Sequence, residues 1–506
     1  MNDQRNRYPG AQPFSDDDVS RKVFFGRDSA ARELADKILA NRVVTVYARS
    51  GLGKTSLLKA GIAALLREEG CLPLFVRVND LRIGPYWALL ETVRGEAARQ
   101  HIEYVPGRWE SLWSFFKTTE FWRGDLLLTP VLILDQFEEL FTLQSEEVRA
   151  HFLNELSYLI RGVRPPPHEQ APPGEELSEH PPPLRIVLSL REDCLGLLED
   201  AAEHIPQILD ARYRLAPLDM YSAHEAIVRP AAVTDPGLET TPFAVDPMTV
   251  HAILNYLSNA RTPVVGQNRR YVEPFQLQLI CRRMEQIAGT RQKASGGYPT
   301  ITMADLGGEA GLDKTLRTFY DDAIASLPDR RGRRASRRLC ENHLISTEGR
   351  RLSVEEHEIH ERLKLSRDTL DRLVGARLLR SERRSENTYY ELSHDALVEP
   401  ILASNRYKAR VIAMLQFGYG MLLMMFCLGA VLGGLTIFGQ LSSAKNTGDR
   451  LQTVVLAITV TLLLLPLVVL PVAQLRGSAR SWRRYRRTRK PAIARPGVHV
   501  RSGSGV

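Results

Sequence analysis

The chain has 506 residues, 25% of them charged and 44% hydrophobic, which gives room for two to four domains with their own cores. A fully disordered, collagen-like or disulfide-scaffold protein is excluded. The formal charge of +8 belongs to one end: residues 476–506 hold ten Lys/Arg and no Asp or Glu. About −2 remains for the other residues, so charge gives no reason to expect the body to bind nucleic acid. Five cysteines show no CxxC or Cys/His spacing, which argues against a metal site or a disulfide framework and fits a reducing compartment.

No apolar segment of the secretory type follows Met1, so the first domain is expected in the cytosol. After a lead-in over 1–22, strands are predicted at Val43–Tyr47, Leu72–Val78, Pro130–Asp135 and Arg185–Leu190, with helical stretches between them. That alternation predicts an α/β domain with a parallel sheet over 23–215. A Pro- and Glu-rich stretch at 164–183 cannot continue helix or sheet and reads as a surface insertion. Residues 216–325 read as helical. From 326 to 405 the pattern shortens to a helix ending near His343, helices at Val354–Leu363 and Ser366–Ala376, and strands at Leu378–Glu382 and Tyr389–Leu392. Three helices and a ribbon predict a winged helix-turn-helix.

Two uncharged runs follow, Val411–Ala444 and Leu451–Leu475, each longer than the roughly 20 residues that a membrane span needs. They predict a transmembrane hairpin within 411–475, with helices near 413–438 and 452–473. Arg406, Lys408 and Arg410 precede it, and Arg476, Arg480, Arg483 and Arg484 follow. The positive-inside bias therefore puts the amino-terminal domains and the basic tail, 476–506, in the cytoplasm. The expected location is the inner membrane.

The strongest chemical signal is Ala48-Arg-Ser-Gly-Leu-Gly-Lys-Thr55, the phosphate-binding pattern GxxxxGK[ST] with Ala in place of the first Gly. It follows an apolar strand and opens a helix, as wrapping a phosphate with backbone N–H groups requires. Ser50, Gly51, Gly53 and Ser56 belong to this loop; Lys54 would reach the β/γ oxygens and Thr55 would hold Mg2+. The apolar strand Val131-Leu-Ile-Leu-Asp135 ends in a carboxylate suited to that ion. Glu138 and Glu139 come next, and one of them could orient or deprotonate an attacking water.

These strings, with Phe24-Phe-Gly-Arg27-Asp28, Leu188-Ser-Leu-Arg191 and the lead-in Tyr8-Pro-Gly-Ala-Gln-Pro-Phe14, resemble the STAND class of P-loop NTPases, signalling switches related to the NACHT and plant-resistance ATPases. The resemblance covers about residues 8–404. It implies that Arg27 sits near the nucleotide, that Arg191 senses the γ-phosphate, that Pro274 packs on the adenine, and that His394 contacts the diphosphate of an inactive state. Local alternatives stand beside these: a solvated Arg191 beside Glu192 and Asp193, a helix-opening Pro274, and a helix cap at Ser393 or Asp395. The array of sensing repeats usual in the class has no counterpart here. The apolar runs occupy its place, so a trigger or effector would act through the membrane, the tail or a separate protein.

The resemblance thus implies an ATP/ADP- and Mg2+-dependent, membrane-anchored switch, a slow ATPase that self-associates in its ATP state. Two other readings remain: a non-hydrolysing nucleotide-binding scaffold, and a membrane-tethered regulator using Arg372, Arg377, Arg380, Arg383 and Arg384 on DNA. Acids at Glu355, Glu356, Glu358 and Glu361 weigh against the last.

Overall fold

The computed structural model describes residues 4–402 apart from 79–83, 108–110, 167–176, 203–204, 260–269, 296, 347–348, 350, 385–386 and 395–396. Beyond 402 it describes 414, 418–421, 424–425 and 429. The chain divides into two units, Met1–Ile401 and Leu402–Val506. Among the described residues no helix is long and apolar enough to cross a membrane. The two runs expected to span lie, but for those few positions, outside the described residues.

The first unit is organised by a five-stranded parallel sheet of β1 (Val43–Ala48), β2 (Cys71–Val76), β3 (Thr129–Asp135), β4 (Arg185–Arg191) and β5 (Arg212–Arg214). The spatial order is β2-β3-β4-β1-β5. All four expected strands form, and β5 adds an edge that the sequence does not announce. Its Arg-Tyr-Arg buries only Tyr213, too short a pattern to read as a strand. Helical cover on both faces explains the unbroken apolar runs of the central strands. Along β3, Val131 and Ile133 enter the core on one face, while Leu132 and Leu134 enter the larger core on the other.

Register sets up the chemistry at the carboxyl ends. Ala48, where the phosphate loop begins, is the partner of Arg191, and Asp135 is the partner of Ser189. Both pairs sit at the sheet edge where parallel α/β proteins bind ligands.

The lead-in is woven into the following helices. Arg7, with no exposed surface, donates to the carbonyls of Pro230 at 2.8 Å and Val233 at 2.6 Å. Its backbone N–H reaches Glu285 Oε1 at 2.8 Å. Tyr8 is buried in the core formed by helices Met220–Ala232, Pro247–Asn259 and Pro274–Ser295. This region is mostly helical, as expected, but two-residue strands tie it together: Leu218–Asp219 with Tyr271–Val272, and Ala244–Val245 with Thr300–Ile301.

Residues 330–392 form helices Arg330–Arg338, Glu356–Leu363 and Arg367–Gly375 with a three-stranded antiparallel sheet. Its strands are β6 (Val354–Glu355), β7 (Leu379–Arg384) and β8 (Asn387–Leu392). The expected helix at Val354–Leu363 differs at its start, where Val354 and Glu355 pair with Tyr390 and Tyr389 instead. Of the Pro-rich insertion, 167–176 lies outside the described residues.

Candidate nucleotide site

At the end of β1 the chain turns through Gly51 (φ +85°) and Gly53 (φ +88°) into the helical segment 54–68, which includes a π-helical stretch at Leu57–Ile62. These left-handed conformations are ones that side chains beyond glycine rarely adopt. At Gly51 space is closed as well: a Cβ there would lie 3.1 Å from His394 Nδ1. A second obligatory glycine, Gly26 (φ +82°), turns the chain ahead of Arg27, where a Cβ would lie 2.2 Å from the Ser222 carbonyl.

A cavity of about 280 Å3 opens beside this loop. Its cationic lining comes from Arg27, Lys54, Arg77, Arg191, Arg377 and Arg380. Apolar lining comes from Phe24, Phe25, Leu218, Ala226, Pro274 and Leu277. A compartment that is both apolar and rich in fixed cations suits a ligand with a flat ring at one end and phosphates at the other.

Lys54 Nζ donates to the Ala48 carbonyl at 3.2 Å. Burial lowers its pKa, while Glu138 and Asp135 act in the opposite direction. Thr55 donates its hydroxyl to Asp135 Oδ2 at 2.8 Å, and Ser189 donates to Oδ1 of the same carboxylate at 2.9 Å. Asp135 is 5% exposed, and both of its carboxylate oxygens accept from these named donors. Ser56 Oγ accepts from the backbone N–H of Phe14 at 3.2 Å, joining the loop to the lead-in. Arg27 braces the loop, donating to the carbonyls of Leu52 at 3.0 Å and Ala216 at 2.8 Å. Burial pulls its pKa down to about 10, so it remains cationic at neutral pH.

The two candidate water-activating acids differ in position. Glu138 lines the cavity, and its Oε2 is buried without a hydrogen-bond partner among the described residues. Burial raises its pKa, opposed by Lys54. Glu139 is absent from the described lining and starts the short helix Glu139–Leu143. Burial drives its pKa up to about 8, against the pull of Arg77.

Residues 330–392 and the segment that follows complete the wall. Ser50 donates to the Ser393 carbonyl at 2.8 Å and lies 3.3 Å from His394 Nδ1. His394 packs against Phe275, ring centroids 4.2 Å apart, next to Pro274 at the start of its helix. Arg191, 7% exposed, pairs with Asp193 and with Glu391 at 3.5 Å. Burial alone would lower its pKa, but Asp193 and Glu391 raise it overall. Asp395 lies outside the described residues.

Every site residue singled out in the sequence except Asp135 and Glu139 lies on this cavity, and Asp135 reaches it through Thr55. Sequence reading carried Gly10–Phe14 only as part of the lead-in string and gave no role to them, to Arg77 or to Glu391; Gly10–Phe14 and Arg77 line the cavity, and Glu391 pairs with Arg191. The same reading named Arg377 and Arg380 only under the disfavoured DNA-binding alternative, and both line the cavity; Arg372, from the same group, pairs with Asp368 at 2.9 Å. No local signal distinguishes these arginines from solvated ones.

A glycine-bent loop between a parallel strand and a helix, its Lys and Thr beside a strand-end carboxylate, defines a P-loop NTPase-type α/β protein. The family model described as novel STAND NTPase 1 matches residues 8–400, and the chain belongs to that family. Among solved structures it is similar to the ORC2 protein of Aeropyrum pernix in its ADPNP–ADP complexes, with 13% identity, 75% of this chain and 94% of that one covered, and a TM-score of 0.37. The ADP form of that protein matches with 14% identity over 75% and 93% of the two chains and a TM-score of 0.34. Cdc6p from Pyrobaculum aerophilum matches with 12% identity over 75% and 94% and a TM-score of 0.33. No curated protein matches the chain.

Proposed function

We propose that this STAND NTPase is a membrane-anchored switch, closed with ADP and opened by ATP, whose open state self-associates. The observation that carries the reading is the contact of Ser393 and His394 with Ser50 of the phosphate loop. A ligand in the cavity would touch both the loop and the 330–392 region with its following segment, so its identity can bias their separation. In this reading residues 326–405 act as a winged-helix-like lid, and His394 is the diphosphate contact.

Lys54 would hold the β- and γ-phosphate oxygens, and the bent loop would wrap the β-phosphate. Mg2+, when bound, would neutralise charge on the phosphates. Thr55 and Asp135 would hold it with phosphate oxygens and water, an economical protein ligand set that suits this ion. Among the described residues no group of three His, Cys, Asp or Glu could hold a metal. Glu138, with its unpartnered oxygen at the cavity, is the acid that would orient water; Glu139 would support the neighbouring contacts. Hydrolysis would be slow and would reset the switch. Pro274 and the apolar wall would take the base.

The two apolar runs would anchor the chain in the inner membrane, with the NTPase and the basic tail on the cytoplasmic side. A separate protein would act as trigger or effector. The test is displacement of a fluorescent ADP from the full chain by ADP and by ATP. The wild type should bind both and Lys54→Ala neither; equal binding by the two proteins would remove the phosphate-loop assignment.

A further inference from the structure

We propose that Glu391 makes the closed cavity select a nucleoside diphosphate over a triphosphate. The inference rests on the nucleotide-switch reading and adds a residue to it. Glu391 ends a long-range reach: it lies on β8, 200 positions from Arg191 in sequence, and is 7% exposed. Its Oε1 gathers Arg191 at 3.5 Å, Arg351 at 3.5 Å and Arg380. Arg191 terminates β4 opposite Ala48 and lines the cavity with Lys54 and Glu138. On this proposal it is the guanidinium, among those lining the cavity, that a phosphate beyond the β-position would meet.

In the closed arrangement that guanidinium already faces two carboxylates, Asp193 and Glu391. A third phosphate would compete with Glu391 for Arg191 and would bring its own negative charge close to a buried carboxylate. Both effects oppose triphosphate, and low solvent access leaves them weakly screened. A diphosphate, ending at the loop and Lys54, meets neither. Binding of triphosphate is thus coupled to loss of the Arg191–Glu391 pair, which joins β4 to β8. Since Glu391 lies on the same strand and turn that present Ser393 and His394, breaking that pair loosens the region that covers the loop.

The experiment is competition of ATP and of ADP against a fluorescent ADP, on the full-length protein in detergent. Glu391→Gln keeps the side-chain shape and an acceptor for Arg351 and Arg380 while removing the charge. It should raise the ATP-to-ADP affinity ratio roughly tenfold, within the usual range for coupled sites, with ADP affinity unchanged within about twofold. In an Arg191→Ala background the same substitution should move the ratio clearly less, because only the direct repulsion between Glu391 and the third phosphate remains. Glu391→Asp withdraws the carboxylate by one methylene and should shift the ratio the same way by less; it is the readout should the Gln variant fail to fold. An unmoved ratio in a folded variant that still binds both nucleotides overturns this inference alone. Equal weakening of ATP and ADP overturns it too. A wild-type chain that binds neither nucleotide overturns the switch reading and this inference together.

Discussion

Thr55 donates its hydroxyl to Asp135 Oδ2 at 2.8 Å, although β4 separates the strand that leads into Thr55 from the strand that ends in Asp135. The sheet order brings a hydroxyl and a carboxylate to one point at its carboxyl edge, where Mg2+ can take both. Asp135→Asn keeps one of the two acceptor oxygens that Thr55 and Ser189 use, turns the other into an amide donor and loses the charge. Mg2+-dependent ATP binding should fall about tenfold, ~1.4 kcal/mol, while binding measured in EDTA stays within about twofold. Titration calorimetry with and without Mg2+ checks this.

Glu138→Gln should bind ATP as the wild type does and lose hydrolysis by roughly a hundredfold or more, the usual contribution of a positioned base. Glu139→Gln should hydrolyse within about threefold of wild type, since Glu139 does not line the described cavity. Phosphate release under single-turnover conditions distinguishes them. A Glu138→Gln protein that hydrolyses normally would remove the proposed role.

Glu139 also carries a pH signature. Its folded pKa is raised by burial to about 8 from an ordinary 4.5, so the folded state holds a proton that the unfolded chain has released. The stabilisation is complete below about pH 4.5 and is lost as pH rises towards 8. Glu139→Gln removes this loss. Its stability should exceed that of the wild type by roughly 1–3 kcal/mol at pH 8, with the advantage shrinking towards pH 5. Urea unfolding at a series of pH values measures it, and parallel curves would contradict the burial of an ionisable Glu139.

His394→Ala should weaken ADP binding by roughly tenfold, about 1.4 kcal/mol, and speed ADP release, because His394 stands over Gly51 beside Ser50. Loss of thermal stability with ADP affinity intact would instead favour the helix-cap reading of Ser393 or Asp395, next to the turn in which the Leu397 N–H bonds to the His394 carbonyl at 3.1 Å.

What was legible in the sequence is what a short stretch of chain determines by itself. Val43–Ala48 and Thr129–Asp135 are apolar runs ending in residues with one chemical purpose, so Lys54, Thr55 and Asp135 could be placed from spacing and periodicity. The two-residue strands beside the helical core carry no period. The rest of the site depends on distant packing. Nothing around Glu391 announces Arg191, and Arg377 looks like its solvated neighbours although it lines the cavity and donates to Gln12 at 3.2 Å. The lead-in motif was visible as a string; its use as a buried tie through Arg7 and Tyr8 came only from the fold.

The central claim, that nucleotide identity sets the state of assembly, is tested most directly by sizing the full-length protein in detergent by light scattering. The two conditions are saturating ADP and a non-hydrolysable ATP analogue. The account predicts the smaller species with ADP and a multiple of its mass with the ATP analogue, the shift disappearing in Lys54→Ala. The same mass with both nucleotides, each shown to be bound, would contradict it.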